Sequence, residues 1–181
     1  MSKALINPVP PADQVEHVEA IFAQMKEHLG FIPDGLRLYG ISPPLLESFV
    51  GNVGYFRGGT ALSGELTAMI RYLVSDRAKC QFCIDLNEGF LAGMGVDLDQ
   101  ARAARSDAEQ APLDEKEKVL LRLALGSVDL EHETKPEEVE RARAAGWNDR
   151  EIFDAVVQAA ANRAFNHVLR TFNVEQQGAF A

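Results

Sequence analysis

The chain has 181 residues, 46% of them hydrophobic and 25% charged, and a formal net charge of −9. This balance fits a soluble globular protein of one main domain, and the acidic excess argues against nucleic acid and anionic membranes as partners. The leucine-rich stretch from Val119 to Leu125 is broken by Arg122, so no apolar run spans a membrane.

The opening Met-Ser-Lys-Ala-Leu-Ile-Asn-Pro lacks the apolar core of a signal peptide, which makes the cytosol the expected location. Residues 1–12 are proline-rich and read as an arm, residues 13–174 as a single domain, and residues 175–181 as a tail. With Asp13 as N-cap, Val15, Val18, Phe22, Met25 and Leu29 predict a helix that stops at Gly30. A turn over 31–35 leads into a short helical stretch ending at Gly40. Ser42-Pro43-Pro44 then opens a helix in the favoured way, a small polar cap followed by proline, and Gly58-Gly59 ends it.

Ser63 is the expected N-cap of the next helix, whose apolar positions are Leu62, Leu66, Met69, Ile70, Leu73 and Val74. It leads to Cys80-Gln81-Phe82-Cys83, which contains the chain's two cysteines. Three residues are most of one helical turn, so the two sulfurs share a face and can meet. Leu86, Phe90, Leu91 and Met94 continue the pattern to a terminating Gly95.

Further on, Asp97 and Asp114 read as caps of two helices separated by the polar run 106–111. Thr134-x-x-Glu137 and Asn148-x-x-Glu151 match capping boxes. The last helix is predicted from Asp149 to about Thr171, with Ile152, Phe153, Val156, Ala160, Ala164, His167 and Val168 along its apolar stripe. No window alternates with period two over a strand's length, so the fold class is all-α.

Leu-Ser-Gly-Glu-Leu at 62–66, an apolar helix and Cys-Gln-Phe-Cys at 80–83 together resemble the alkyl hydroperoxide reductase D-like, or carboxymuconolactone decarboxylase, family, in its peroxidase-related branch. The resemblance implies a compact multi-helix bundle that assembles as a homo-oligomer, a trimer, hexamer or related form. It also implies a dithiol–disulfide cycle between Cys80 and Cys83, in which a small hydroperoxide is the substrate and a redox protein or small thiol is the reductant. No cofactor or metal is implied. In the family a Glu on the preceding helix and a His four residues after the second cysteine relay protons to the pair. Here those positions hold Ala68 and Asn87, and Phe82 stands where some members carry another His.

Thiolate is the reactive form of cysteine, and a helix N-terminus or a nearby cation favours it. Arg77 and Lys79 stand just upstream, so local electrostatics favour Cys80 as the attacking sulfur, whereas the family assigns the second cysteine; the order stays open. Asn87, Glu65 and His167 are the supporting candidates. Asn87 can hold a sulfur or a water, Glu65 can stand in for the missing carboxylate or serve as a helix-start acid, and His167 lies beside Arg163 and Asn166. Cys-x-x-Cys is also half of a zinc site, but no second pair completes it. The activity expected is a weak thiol-dependent hydroperoxide reduction. A non-catalytic or redox-sensing scaffold is the alternative, and a lyase of the decarboxylase type is a weaker third reading.

Overall fold

The computed structural model describes residues 4–180. Among them every regular element is helical: α1 Val15–Leu29, α2 Asp34–Tyr39, α3 Pro43–Gly58, α4 Gly64–Arg77, α5 Gln81–Gly93, α6 Leu98–Ala103, α7 Glu115–Ser127, α8 Pro136–Ala144 and α9 Asp149–Thr171, with one 3-10 turn at Ala108–Gln110. None is long and apolar enough to cross a membrane.

The chain divides into two compact units, whose boundaries fall inside α3 and α9. The first comprises residues 4–55 and 168–180. Its core is Val18 and Phe22 of α1, Leu36 of α2 and Leu46 of α3. Gly40 is required there: a Cβ would lie 2.9 Å from the Phe22 ring. The buried Asp34 carboxylate accepts the backbone N–H groups of Gly178 and Ala179, so the segment read as a tail is tied to the start of α2. Within the stretch read as an arm, the Leu5 N–H donates to the Phe172 carbonyl at 2.9 Å.

The second unit, residues 56–167, is built around α4. Leu66, Met69, Ile70 and Val74 are sealed from solvent, as are Leu120 and Leu121 of α7 and Leu91 of α5. α4 packs most extensively on α5 and next on α7. A buried leucine-sized side chain contributes about 1.5–3 kcal/mol, so this helix is the best-anchored element of the unit. Ser63 caps it as expected, its hydroxyl accepting the Leu66 N–H at 3.0 Å.

Three expectations differ from the structure, two of them caps. Gln14, not Asp13, occupies the N-cap position of α1, with no side-chain cap. Pro136 takes the first position of α8, so the reciprocal contact shifts by one residue and Glu138 accepts the Lys135 N–H at 2.8 Å. Proline fixes the φ of a first helical position and has no N–H to leave unpaired there, and this overrides the Thr134 box. The third difference is the face of α9. Phe153 is 66% exposed, and Ala160, Ala164 and His167 are exposed too. The buried face carries Ala155, Gln158, Ala159, Asn162 and Asn166. Three amides thus share the buried face with alkyl groups, Ile152 among them as expected.

Candidate functional site

The dithiol sits where α4 turns into α5. α4 ends in a Schellman arrangement, with the Lys79 N–H bonded to the Asp76 carbonyl at 2.9 Å and the Cys80 N–H to the Ser75 carbonyl at 3.0 Å. Lys79 takes the left-handed conformation, φ 56°, that glycine usually supplies. Cys80 thereby closes α4 and also holds the N-cap position of α5, extended at φ −95°. The reversal is so tight that Cys83, in the first turn of α5, faces back onto Ser75.

Both cysteines are free thiols and buried, Cys80 fully and Cys83 to 2% exposure. They lie within hydrogen-bonding reach of one another, and this contact is the main reason why the Cys83 thiol is pushed well above the usual range. Burial adds to the shift, while hydrogen bonds from Asn166 and Ser75 work against it. Two touching thiols resist carrying two negative charges, so the pair holds one proton in common after it first ionises.

Around Cys83 lies a network of neutral groups. The Asn162 amide donates to the Arg71 carbonyl (3.0 Å), the Ser75 hydroxyl (3.0 Å) and Asn166 Oδ1 (3.1 Å), and Asn166 Nδ2 donates to the same hydroxyl at 3.1 Å. The Ser75 hydroxyl in turn donates to the Arg71 carbonyl at 2.6 Å. Asn162 and Asn166 lie on the buried face of α9, Ser75 on α4.

Asn87, at the place of the family's His, is buried and donates to the Cys83 carbonyl at 2.8 Å. Its Oδ1 accepts Arg71 Nε at 2.9 Å. Arg71 stands one helical turn after Ala68, the place of the family's Glu, and its Nη1 lies 3.5 Å from Gln158 Oε1. Its guanidinium is 5.9 Å from the centre of the Phe90 ring. No carboxylate pairs with it among the described residues, and burial lowers its pKa to about 10. The place where a proton relay is expected therefore holds a fixed cation and an amide.

The other sequence candidates lie elsewhere. Glu65 is ten residues before Ser75 on α4, roughly 15 Å along the axis, and lines an open cleft of about 580 Å³ with Ser63, Glu109 and Glu117. His167 is exposed, whereas its neighbour Asn166 meets the thiol. Arg77 donates to the Leu125 carbonyl at 3.1 Å, and Lys79 Nζ is 3.8 Å from Asp76, so these two cations are engaged away from the sulfurs. Among the described residues no group of three or more His, Cys, Asp or Glu could hold a metal ion.

Arg71, Ser75, Gln158 and Asn162 were not singled out from the sequence. Their signal was present: Arg71 and Ser75 are four apart inside an apolar helix, and Gln158, Asn162 and Asn166 recur every four residues.

No protein-family model and no curated protein matches the chain. Solved structures do. An uncharacterized peroxidase-related protein from Silicibacter sp. TM1040 superposes with a TM-score of 0.84 over 100% of this chain and 97% of its own, at 22% identity. A second uncharacterized peroxidase-related protein, an alkylhydroperoxidase AhpD core from Ralstonia eutropha JMP134, gives 0.84 over 99% and 95%, at 16% identity. A Cys-to-Ala variant of the debrominase Bmp8 in complex with 2,3,4-tribromopyrrole gives 0.71 over 98% and 94%, at 21% identity. The chain therefore has the all-α fold of the AhpD-like, peroxidase-related proteins.

Proposed function

We propose that the protein is a thiol-dependent oxidoreductase that reduces a hydroperoxide through Cys80 and Cys83. The observation that carries this reading is the contact between the two buried thiols at the α4–α5 turn. Cys80, at the N-cap position of α5, takes the negative charge.

In this reading the thiolate attacks the terminal peroxide oxygen and the O–O bond breaks, giving a sulfenic acid and an alkoxide. The alkoxide takes the proton held on the partner thiol and leaves as an alcohol. The thiolate so formed attacks the sulfenic sulfur, the S–O bond breaks, and hydroxide leaves to be neutralised by the proton that the first thiol released to solvent on ionising. The peroxide has gained two electrons and the dithiol has become a disulfide. A reducing redox protein or two small thiols return those electrons by thiol–disulfide exchange. The partner thiol thus supplies the proton that a Glu/His relay otherwise would. It supplies one per cycle, and among the described residues no imidazole or carboxylate acts on the Cys83 thiol, so turnover is slow.

The burial of both sulfurs favours a second reading, a redox sensor that is oxidised once and recovers slowly. Counting free thiols after mild peroxide, and then measuring peroxide consumption under added reductant, separates the two. Continuous consumption supports the enzyme. Oxidation without turnover supports the sensor, and thiols that stay reduced overturn both.

A further inference from the structure

The redox reading leaves Arg71 unused. A guanidinium carries five N–H donors. Here Nε is given to Asn87 and one Nη1 hydrogen points, at long range, to Gln158. Nη2 has no hydrogen-bond partner among the described residues. No side-chain nitrogen or oxygen sealed from solvent lacks a partner there, so Nη2 opens to solvent. A cation held in a partly buried site among neutral amides, with no carboxylate to balance it, loses hydration without compensation. Two other arginines beside α4 are neutralised, Arg105 by Asp76 at 2.6 Å and Arg102 by Glu88 at 3.0 Å, while Arg77 is exposed and donates to the Leu125 carbonyl.

We propose that Arg71 is the anion-recognition residue of the dithiol site and takes the carboxylate of a monoanionic organic substrate whose apolar body lies along Phe90. The planar edge of a guanidinium presents two parallel donors that match a carboxylate. A single cation among neutral amides suits one negative charge better than a doubly charged phosphate. Phe90, half-buried and 5.9 Å from the guanidinium, offers the hydrocarbon contact. Asn87 links this anion site to the thiols, holding Arg71 through its oxygen and the Cys83 carbonyl through its nitrogen. This assignment rests on the hydroperoxide reading and narrows its substrate to carboxylate-bearing hydroperoxides, with an apolar spacer between the acid and the peroxide.

The test compares cumene hydroperoxide with its 4-carboxy derivative as oxidants of the reduced protein, and measures binding of the redox-inert 4-isopropylbenzoate to it. Wild type should be oxidised by the carboxylated peroxide about tenfold faster or more, the worth of one charged hydrogen-bond pair. Arg71→Met should bring the ratio near one, and Arg71→Lys should leave it in between. Each variant is used only if its circular dichroism is native, and Arg71→Gln replaces a Met variant that does not fold. Equal rates for the two peroxides in wild type would overturn the recognition role and leave the redox reading standing. If neither peroxide oxidises the thiols, the redox reading fails and binding decides. 4-Isopropylbenzoate that binds wild type but not its Arg71 variants, with the neutral amide analogue not binding, keeps the anion site. Equal binding of acid and amide, or no binding, removes it.

Discussion

Helix α4 carries two polar networks, and they differ in how charge is balanced. On one, Asp76 meets Arg105, the Tyr72 hydroxyl donates to Glu88 at 2.6 Å, and Glu88 is held by Arg102. Every cation there has a carboxylate. Burial, and next the contact with Glu88, push the Tyr72 hydroxyl up to about 12, while the Arg102 hydrogen bond holds Glu88 below the usual carboxylate range. On the other, Ser75 and Asn166 meet the Cys83 thiol, Asn162 joins them, and Asn87 links the Cys83 carbonyl to Arg71, a cation whose neighbours are amides and the Phe90 ring. A closed set of ion pairs holds helices together. An open cation linked to the dithiol turn through one amide has charge left for a ligand.

Substitutions should separate the two networks. The largest effect belongs to the thiols: Cys80→Ser or Cys83→Ser should each bring peroxide turnover to background, a loss of ~10³-fold or more, because a dithiol cycle cannot close with one sulfur. Peroxide consumption under excess reductant measures it, and a single variant that keeps wild-type turnover would break the account. Next, Asn162→Leu leaves the Arg71 carbonyl and the Ser75 hydroxyl short of a donor. It should cost about 1–3 kcal/mol in chemical denaturation and also change the rate of thiol oxidation.

The alkaline limb of stability comes third. The folded-state pKa of Cys83 is raised, so its contribution is fully present below the ordinary thiol pKa of about 8.5 and is lost as pH climbs from there toward the folded value. Stability should fall above pH ~8.5 by up to about 1.4 kcal/mol per pH unit, and Cys83→Ser should flatten that fall. The smallest effect belongs to the paired network. Asp76→Asn breaks a pair whose arginine is more than a third exposed, so the loss should be about 0.2–1 kcal/mol, with thiol oxidation unchanged. A large oxidation effect there would erase the distinction between the networks.

Much of this was legible in the sequence. Ser63, Asp97, Asp114 and the Asn148/Glu151 pair cap as read, because side-chain-to-backbone contacts within four residues are set by local spacing. The Cys-x-x-Cys pair meets for the same reason. The face of α9 was not legible. An apolar periodicity places Phe153 and Val168 on one stripe, but Asn162 and Asn166 are drawn inward by Ser75 and the Arg71 carbonyl, partners some ninety residues away. Arg71 was hidden likewise, since its significance lies in the carboxylate it lacks, and only the packed structure can show that.

The central claim is that Cys80 and Cys83 form one reversible redox pair. Intact mass spectrometry of the native protein after stoichiometric peroxide tests it most directly, with peptide mapping and re-reduction by dithiothreitol. The account predicts loss of two hydrogens, a cross-linked peptide joining Cys80 to Cys83, native circular dichroism throughout, and full return to the dithiol. Thiols that remain reduced, or that pair between chains, would contradict it.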